Sequence, residues 1–250
     1  MKDTLRQVLV VVSVLATLAV NILANALPFN GLSTGQISDR FHVYFVPAGY
    51  VFSIWGVIYI GLIAYAVFQA LPSQRENPRL RRTGYPVAVS GLANMVWLFL
   101  WHYEQFALTL VVMAGLLAVL IVVYLNLGIG REKVAPGETW AARVPFSIYL
   151  GWITVATIAN VTDVLYYVGW DGFGINPRNW ALVLFAAVLV IAGLMSLIRR
   201  DIAYNLVIVW ALVGIAVKQA AAKSIVLASL VTAMLVVAVL AYSLFRKKPA

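Results

Sequence analysis

Aromatic and amide side chains recur at helical spacing and are the residues with the clearest chemical potential. Trp55 and Tyr59 lie four apart, as do Trp97 and Trp101, and Asn94 lies three before Trp97. Residues three or four apart share one face of a helix, so each set stacks on one side. Tyr149, Trp152, Ala156 and Asn160 fall at i, i+3, i+7 and i+11, a single stripe. Aromatic faces edged by amides suit the holding of a flat, apolar molecule: the rings stack on it and a few polar groups fix its orientation. The same spacing also serves helix packing, where Asn forms interhelical bonds worth roughly 0.6–2 kcal/mol. Spacing alone favours packing.

Other chemistries lack their residues. There is no Walker glycine loop, no G-x-G-x-x-G opening a helix, no H-E-x-x-H and no G-x-S-x-G elbow. His42 and His102 are the only histidines, too few for a His-based metal site, and there is no cysteine. Asp163, Glu104, His102 and Lys218 all fall near the ends of apolar runs, which argues against a midplane proton or ion relay. Lys218 has no convincing carboxylate counter-ion for a Schiff base, so it reads as a lysine snorkelling to the interface.

These stripes must be positioned by helices that cross a bilayer. Hydrophobic residues make up 63% of the 250 and charged residues 11%, against about 45–50% and 25% in soluble domains. Mean hydropathy is +0.94. The net charge of +9 is not gathered into a groove-tracking face, which excludes nucleic acid as a partner. Apolar runs at about 7–28, 49–71, 84–102, 105–128, 145–168, 180–199, 202–218 and 224–245 predict eight spans, the seventh being short. Lys2 and Arg6 before a run ending Ala24-Asn25-Ala26 also fit a secretory signal, but the run exceeds a usual h-region and a retained first span is expected. With the N-terminus inside, 14 of the 18 Lys and Arg fall on the inner side. Arg40, Arg178, Lys218 and Lys223 remain outside. The positive-inside rule then predicts a multi-pass protein of the cytoplasmic membrane with both termini cytoplasmic.

The stripes resemble the signature of the TspO/MBR family (translocator protein, peripheral benzodiazepine receptor, tryptophan-rich sensory protein). The family's second-helix motif, roughly W-x-P-P-G-W-V-F-G-P-V-W-x-x-L-Y, corresponds to Phe45-Val46-Pro47-Ala48-Gly49-Tyr50-Val51-Phe52-Ser53-Ile54-Trp55-Gly56-Val57-Ile58-Tyr59. Its third-helix L-A-x-N-x-x-W appears as Leu92-Ala93-Asn94-Met95-Val96-Trp97, one residue shorter before the asparagine. Its fifth-helix Y-L-x-W-x-x-x-A-T-x-x-N is intact as Tyr149, Leu150, Trp152, Ala156, Thr157 and Asn160. Departures fall around the loop and the cavity mouth. Pro-Pro is Pro47-Ala48, two tryptophans are Phe45 and Tyr50, one residue is missing before Trp55, and Phe-Phe ending helix three is Trp101-His102.

The resemblance covers about residues 1–168. It implies an all-α integral membrane protein with a TspO-like five-helix core over 1–168 and leaves 169–250 unexplained. The apolar runs there predict three additional transmembrane helices, expected to pack outside the cavity because the motif stripes all precede residue 161. It also implies an aromatic cavity for a porphyrin or similar planar ligand, with no cofactor required. Ligand-binding residues carried over by position or stripe are Trp55, Tyr59, Asn94, Trp97, Tyr149, Trp152, Ala156 and Asn160. Trp55 resembles the tryptophan linked to porphyrin breakdown, so a degrading side activity stays open. Arg40, His42 and Pro47 are expected at the cavity mouth, where the first two would meet propionates. Expected partners are the bilayer and the planar ligand, with a second copy of the chain left open. A transporter is the competing function, though it would need broken helices in matched halves. A membrane enzyme would need a cofactor or light, given no midplane acid, base or metal set. A structural partner subunit is the fourth reading, with 169–250 as its docking part.

Overall fold

In a computed structural model, which describes residues 2–27 and 29–246, the chain forms eight long helices. They are α1 (Lys2–Ala26), α2 (Ile54–Ala70), α3 (Pro78–His102), α4 (Phe106–Asn126), α5 (Val144–Tyr167), α6 (Pro177–Leu194), α7 (Ile202–Lys218) and α8 (Lys223–Phe245). Among the described residues, seven helical segments are long and apolar enough to cross a membrane. Helix α7, at 17 residues, is the short one. Lys247, Lys248 and Ala250, part of the predicted inner C-terminus, lie outside the described residues, as does Pro28 at the end of the first predicted span.

Helix starts follow local chemistry. Asn77 and Asn176 each accept from the backbone N–H two residues on and are followed by proline at the first helical position. Asp201 caps α7 by accepting from the N–H of Tyr204. Two helices are locally unwound into π turns, Thr139–Arg143 running into α5 and Met195–Arg199 closing α6. Such turns insert a residue and re-aim the side chains around it.

The first five helices close a ring in the order α1–α2–α5–α4–α3, with α3 returning to α1. The last three join through α7, which packs on the outer side of α5; α8 packs on α7, and α6 on α8. At the α5–α7 crossing a side chain on Gly151 would press on the Tyr204 backbone, so a small residue lets the helices approach.

The connection between α1 and α2 folds back over one end of the ring. It carries the short helix Thr34–Ser38, started by a capping box between Ser33 and Gln36, and a 3-10 turn over Gly49–Ser53. Ile37, Phe41, Phe45, Val46 and Val51 of this lid are buried. The end of α3 holds one edge: Trp101 Nε1 donates to the Thr34 carbonyl at 3.2 Å, and His102 meets Thr34 Oγ1 at 3.1 Å and the Phe29 carbonyl at 3.0 Å. Trp101-His102, where the family has Phe-Phe, thus fastens the lid.

Helix α7 holds the other edge. The Ala48 N–H donates to the Gly214 carbonyl at 3.1 Å, Trp210 Nε1 to the Val51 carbonyl at 3.1 Å, and Gln219 to the Val43 carbonyl at 3.0 Å. Val51 packs so closely on Gly214 that a side chain there would collide with it. Lys218 pairs with Asp39 of the lid, so its ammonium has a protein partner as well as an interfacial position. The added helices therefore clamp the lid from outside the ring.

Candidate functional site

Two adjoining chambers lie under the lid. The larger, about 290 Å³, is walled by Trp55 and Tyr59 of α2, Asn94 and Trp97 of α3, and Asn21 and Asn25 of α1, with Phe52 and Thr34 closing it from the lid. The smaller, about 50 Å³, lies toward α5 and is walled by Trp97, Trp101, Trp152, Ala156, Asn160 and Asp163. Pro47 and Val46 cover it. Phe52, Trp97 and Thr34 line both chambers and form the partition between them. Every lining residue of both precedes residue 168.

The walls are an aromatic lattice. Trp55 stacks on Tyr59 with ring centres 5.7 Å apart, and Trp97 on Trp101 at 5.3 Å. Trp152 meets Phe52 edge-on at 5.6 Å and Trp55 at 6.2 Å, so helices α2 and α5 converge on one site. Tyr149 is wholly buried behind Trp55 at 5.9 Å, supporting the wall without lining a chamber. Edge-on and offset rings add about 0.5–1.5 kcal/mol per pair beyond their burial. That fixes the indole planes before any ligand arrives.

The amides divide between packing and display. Asn160 accepts from Trp97 Nε1 at 3.3 Å and donates to Thr109 Oγ1 at 3.0 Å, tying α3, α4 and α5 together. Its polar atoms are spent on holding the helices. Asn94 accepts from Asn21 at 2.8 Å, joining α1 to α3 at the chamber wall. Trp152 Nε1 and Asp163 Oδ1 are buried with no hydrogen-bond partner among the described residues. Buried polar atoms left this way cost about 1–3 kcal/mol each and mark places where a ligand or water completes the structure.

Asp163 is the residue that sequence reading missed. It lies four residues before the end of α5, so its position looked interfacial, yet it is only 3% exposed and faces the smaller chamber. The signal was its spacing: Asp163 is i+3 from Asn160 and i+7 from Ala156, extending the same stripe.

Arg40 and His42 do not line either chamber. The Arg40 guanidinium is engaged at the surface by Glu104, whose carboxylate raises its pKa further above the ordinary arginine value. Glu104 is at the turn after α3, and it draws Arg40 away from the ring axis. His42 is exposed and borders a separate cleft of about 180 Å³ between the lid, the end of α5 and α6. Pro47 alone of the three mouth residues covers a chamber. Among the described residues, no Lys, Arg or His lines either one. The donor set therefore fits the face of a planar ring and offers no cation to a carboxylate inside.

The family model described as TSPO-like protein matches residues 7–242. The chain belongs to the TSPO-like protein family. The match runs through α6, α7 and α8, beyond the three motifs of the first five helices. Comparison with curated proteins and with solved structures gives no match. With seven span-length apolar helices, this TSPO-like chain is a multi-pass, all-α membrane protein.

Proposed function

We propose that this TSPO-like protein is a membrane receptor or sensor that binds a planar, apolar ligand, of tetrapyrrole type or similar, in the chambers beneath the lid. The observation that carries the reading is the convergence of Trp55, Trp97 and Trp152 from three helices around the two adjoining chambers. The indole N–H of Trp152 is left without a partner there. Flat aromatic walls discriminate by shape and stacking, and the apolar smaller chamber favours a ligand that also partitions into lipid, while the amides of the larger one can orient it. The combined space lies near the lower bound of small-molecule pockets, about 300–1,000 Å³, so a macrocycle enters by displacing Phe52 and the lid.

The absence of a lining cation, with Asp163 present, refines the ligand. Carboxylates of a tetrapyrrole stay outside the chambers, and an uncharged edge faces inward. Titration of detergent-purified protein with protoporphyrin IX and with its dimethyl ester, following tryptophan quenching, tests this directly. The ester is expected to bind at least as tightly as the free acid. Quenching by neither, in folded protein, would refute the receptor reading for tetrapyrroles.

A further inference from the structure

A groove on the far flank of α5 belongs to neither aromatic chamber. It encloses about 610 Å³, more than both together, between the start of α5 and helix α7. One end is basic, with Arg143, Arg199 and Arg200 in its wall; the rest is apolar, with Ile148, Leu206 and Trp210 among its lining.

All three arginines are presented by irregular backbone. Arg143 ends the π turn before α5, Arg199 ends the π turn of α6, and Arg200 follows with φ of 53°, a left-handed conformation unusual outside glycine. Strained or re-aimed backbone of this kind persists where the surroundings hold it in place and clusters at binding sites.

Their charges are incompletely matched from within the protein: Glu138, the buried acid near Arg143, is itself bonded by Arg79. Arg143 is 7% exposed, and its Nε and Nη2 have no hydrogen-bond partner among the described residues. Its remaining nitrogen donates to the Glu132 carbonyl, and the Glu132 carboxylate, largely exposed, comes only to 3.9 Å. Arg199 donates to the Ile129 carbonyl at 3.3 Å and sits over the Tyr124 ring at 5.7 Å. Arg200 donates to the Arg246 carbonyl at 2.6 Å. Among the described residues the one acid lining the groove is Asp201, whose oxygens accept from Tyr124 and Ser147 hydroxyls at 2.8 and 2.6 Å and from the Tyr204 N–H at 3.1 Å, so one carboxylate faces three guanidiniums and the lining keeps a positive surplus. On Arg143 the buried N–H groups without acceptors call for an anion, and phosphate oxygens match a guanidinium fork.

The groove's position says which anion. Arg199 ends the span-length segment Pro177–Arg199, which places the basic end at a membrane interface. Ile202, Leu206 and Trp210 are partly exposed on the outer face of α7, so the apolar part opens sideways to lipid. We propose that this groove binds an anionic phospholipid, with its phosphate on Arg143, Arg199 and Arg200 and an acyl chain along Leu206 and Trp210. A basic pocket between transmembrane helices at an interface has this chemistry. Trp210, one wall of the groove, is also the residue that holds the lid at Val51.

Native mass spectrometry of the full chain in neutral detergent tests the proposal. Phosphatidylglycerol and phosphatidylcholine with matched acyl chains are supplied together. Wild type is expected to retain phosphatidylglycerol preferentially, and excess inorganic phosphate to leave it bound. Arg200→Gln should reduce that preference by about fivefold, the contribution of one basic residue near an anionic headgroup. Ala203→Trp fills the groove with every arginine retained, and should release the lipid while melting as wild type. Equal retention of the two lipids by wild type would overturn the proposal. So would an unchanged preference in both variants, or displacement by inorganic phosphate, which would indicate a small-anion site. Protoporphyrin ester binding, read in the same variants, should be unaltered; the two readings therefore fail separately.

Discussion

Replacing Trp152 by alanine separates a binding site from a packed core. Trp152 is 2% exposed, lines the smaller chamber, and touches Phe52 and Trp55 edge-on. If its indole is a stacking surface for a planar ligand, removal costs about 1–3 kcal/mol of binding, on the scale of base–aromatic stacking. That is roughly 5- to 150-fold in Kd. The substitution also removes packing, and Trp→Ala in a soluble core costs about 3–5 kcal/mol. Here the loss should be toward the lower end, because the indole borders a small chamber and its N–H leaves no partner stranded. The assay is tryptophan quenching by protoporphyrin IX dimethyl ester in detergent, with melting followed in parallel so that only folded protein is titrated. Tyr242→Ala, on the exposed face of α8, is the matched aromatic deletion and should bind as wild type. Trp210, although on an added helix, cannot serve as that control because it holds the lid. Wild-type affinity in folded Trp152→Ala would refute the stacking argument and leave the stripe as helix packing.

Ala156→Trp should abolish ester binding with the fold retained, since a chamber of about 50 Å³ cannot admit an indole and a ligand together; retained affinity would place the ligand elsewhere. Asp163→Leu should raise the melting temperature, because it removes a buried carboxylate oxygen with no partner, a cost of about 1–3 kcal/mol; a fall in melting temperature would show that the carboxylate is satisfied. Trp210→Phe deletes the hydrogen bond to Val51 and should speed amide exchange across residues 43–53, with a stability loss of about 1 kcal/mol; unchanged exchange would show that the other lid contacts suffice without it. A cytoplasm-active reporter fused at Ala250 and a periplasm-active one in the 169–179 loop should both give signal, as the cation asymmetry predicts; activity only on exchanging the reporters would reverse the orientation.

Much of the five-helix ring could be read from the residues because lipid leaves helices few ways to organise. Apolar length sets the spans, and polar or aromatic residues at i+3 and i+4 mark the faces that turn inward. Trp55, Trp97 and Trp152 could be placed on three inward faces by that rule. The rule could not tell which amides are displayed and which are consumed: Asn94 and Asn160 look alike in sequence, yet Asn160 spends its amide on Trp97 and Thr109. Loops carry no such periodicity. Arg40 and His42 precede Pro47 by a few residues, but Glu104 captures the first and the second turns toward α6, so neither reaches the chambers. The role of α7 was equally hidden, because it depends on backbone groups. Gly214 supplies a carbonyl and the absence of a side chain, and neither has a pattern to read. Asp163 and the arginine groove share a physical cause for being missed. Their significance is a shortage of partners, and a missing hydrogen bond is visible only once every neighbour has a position.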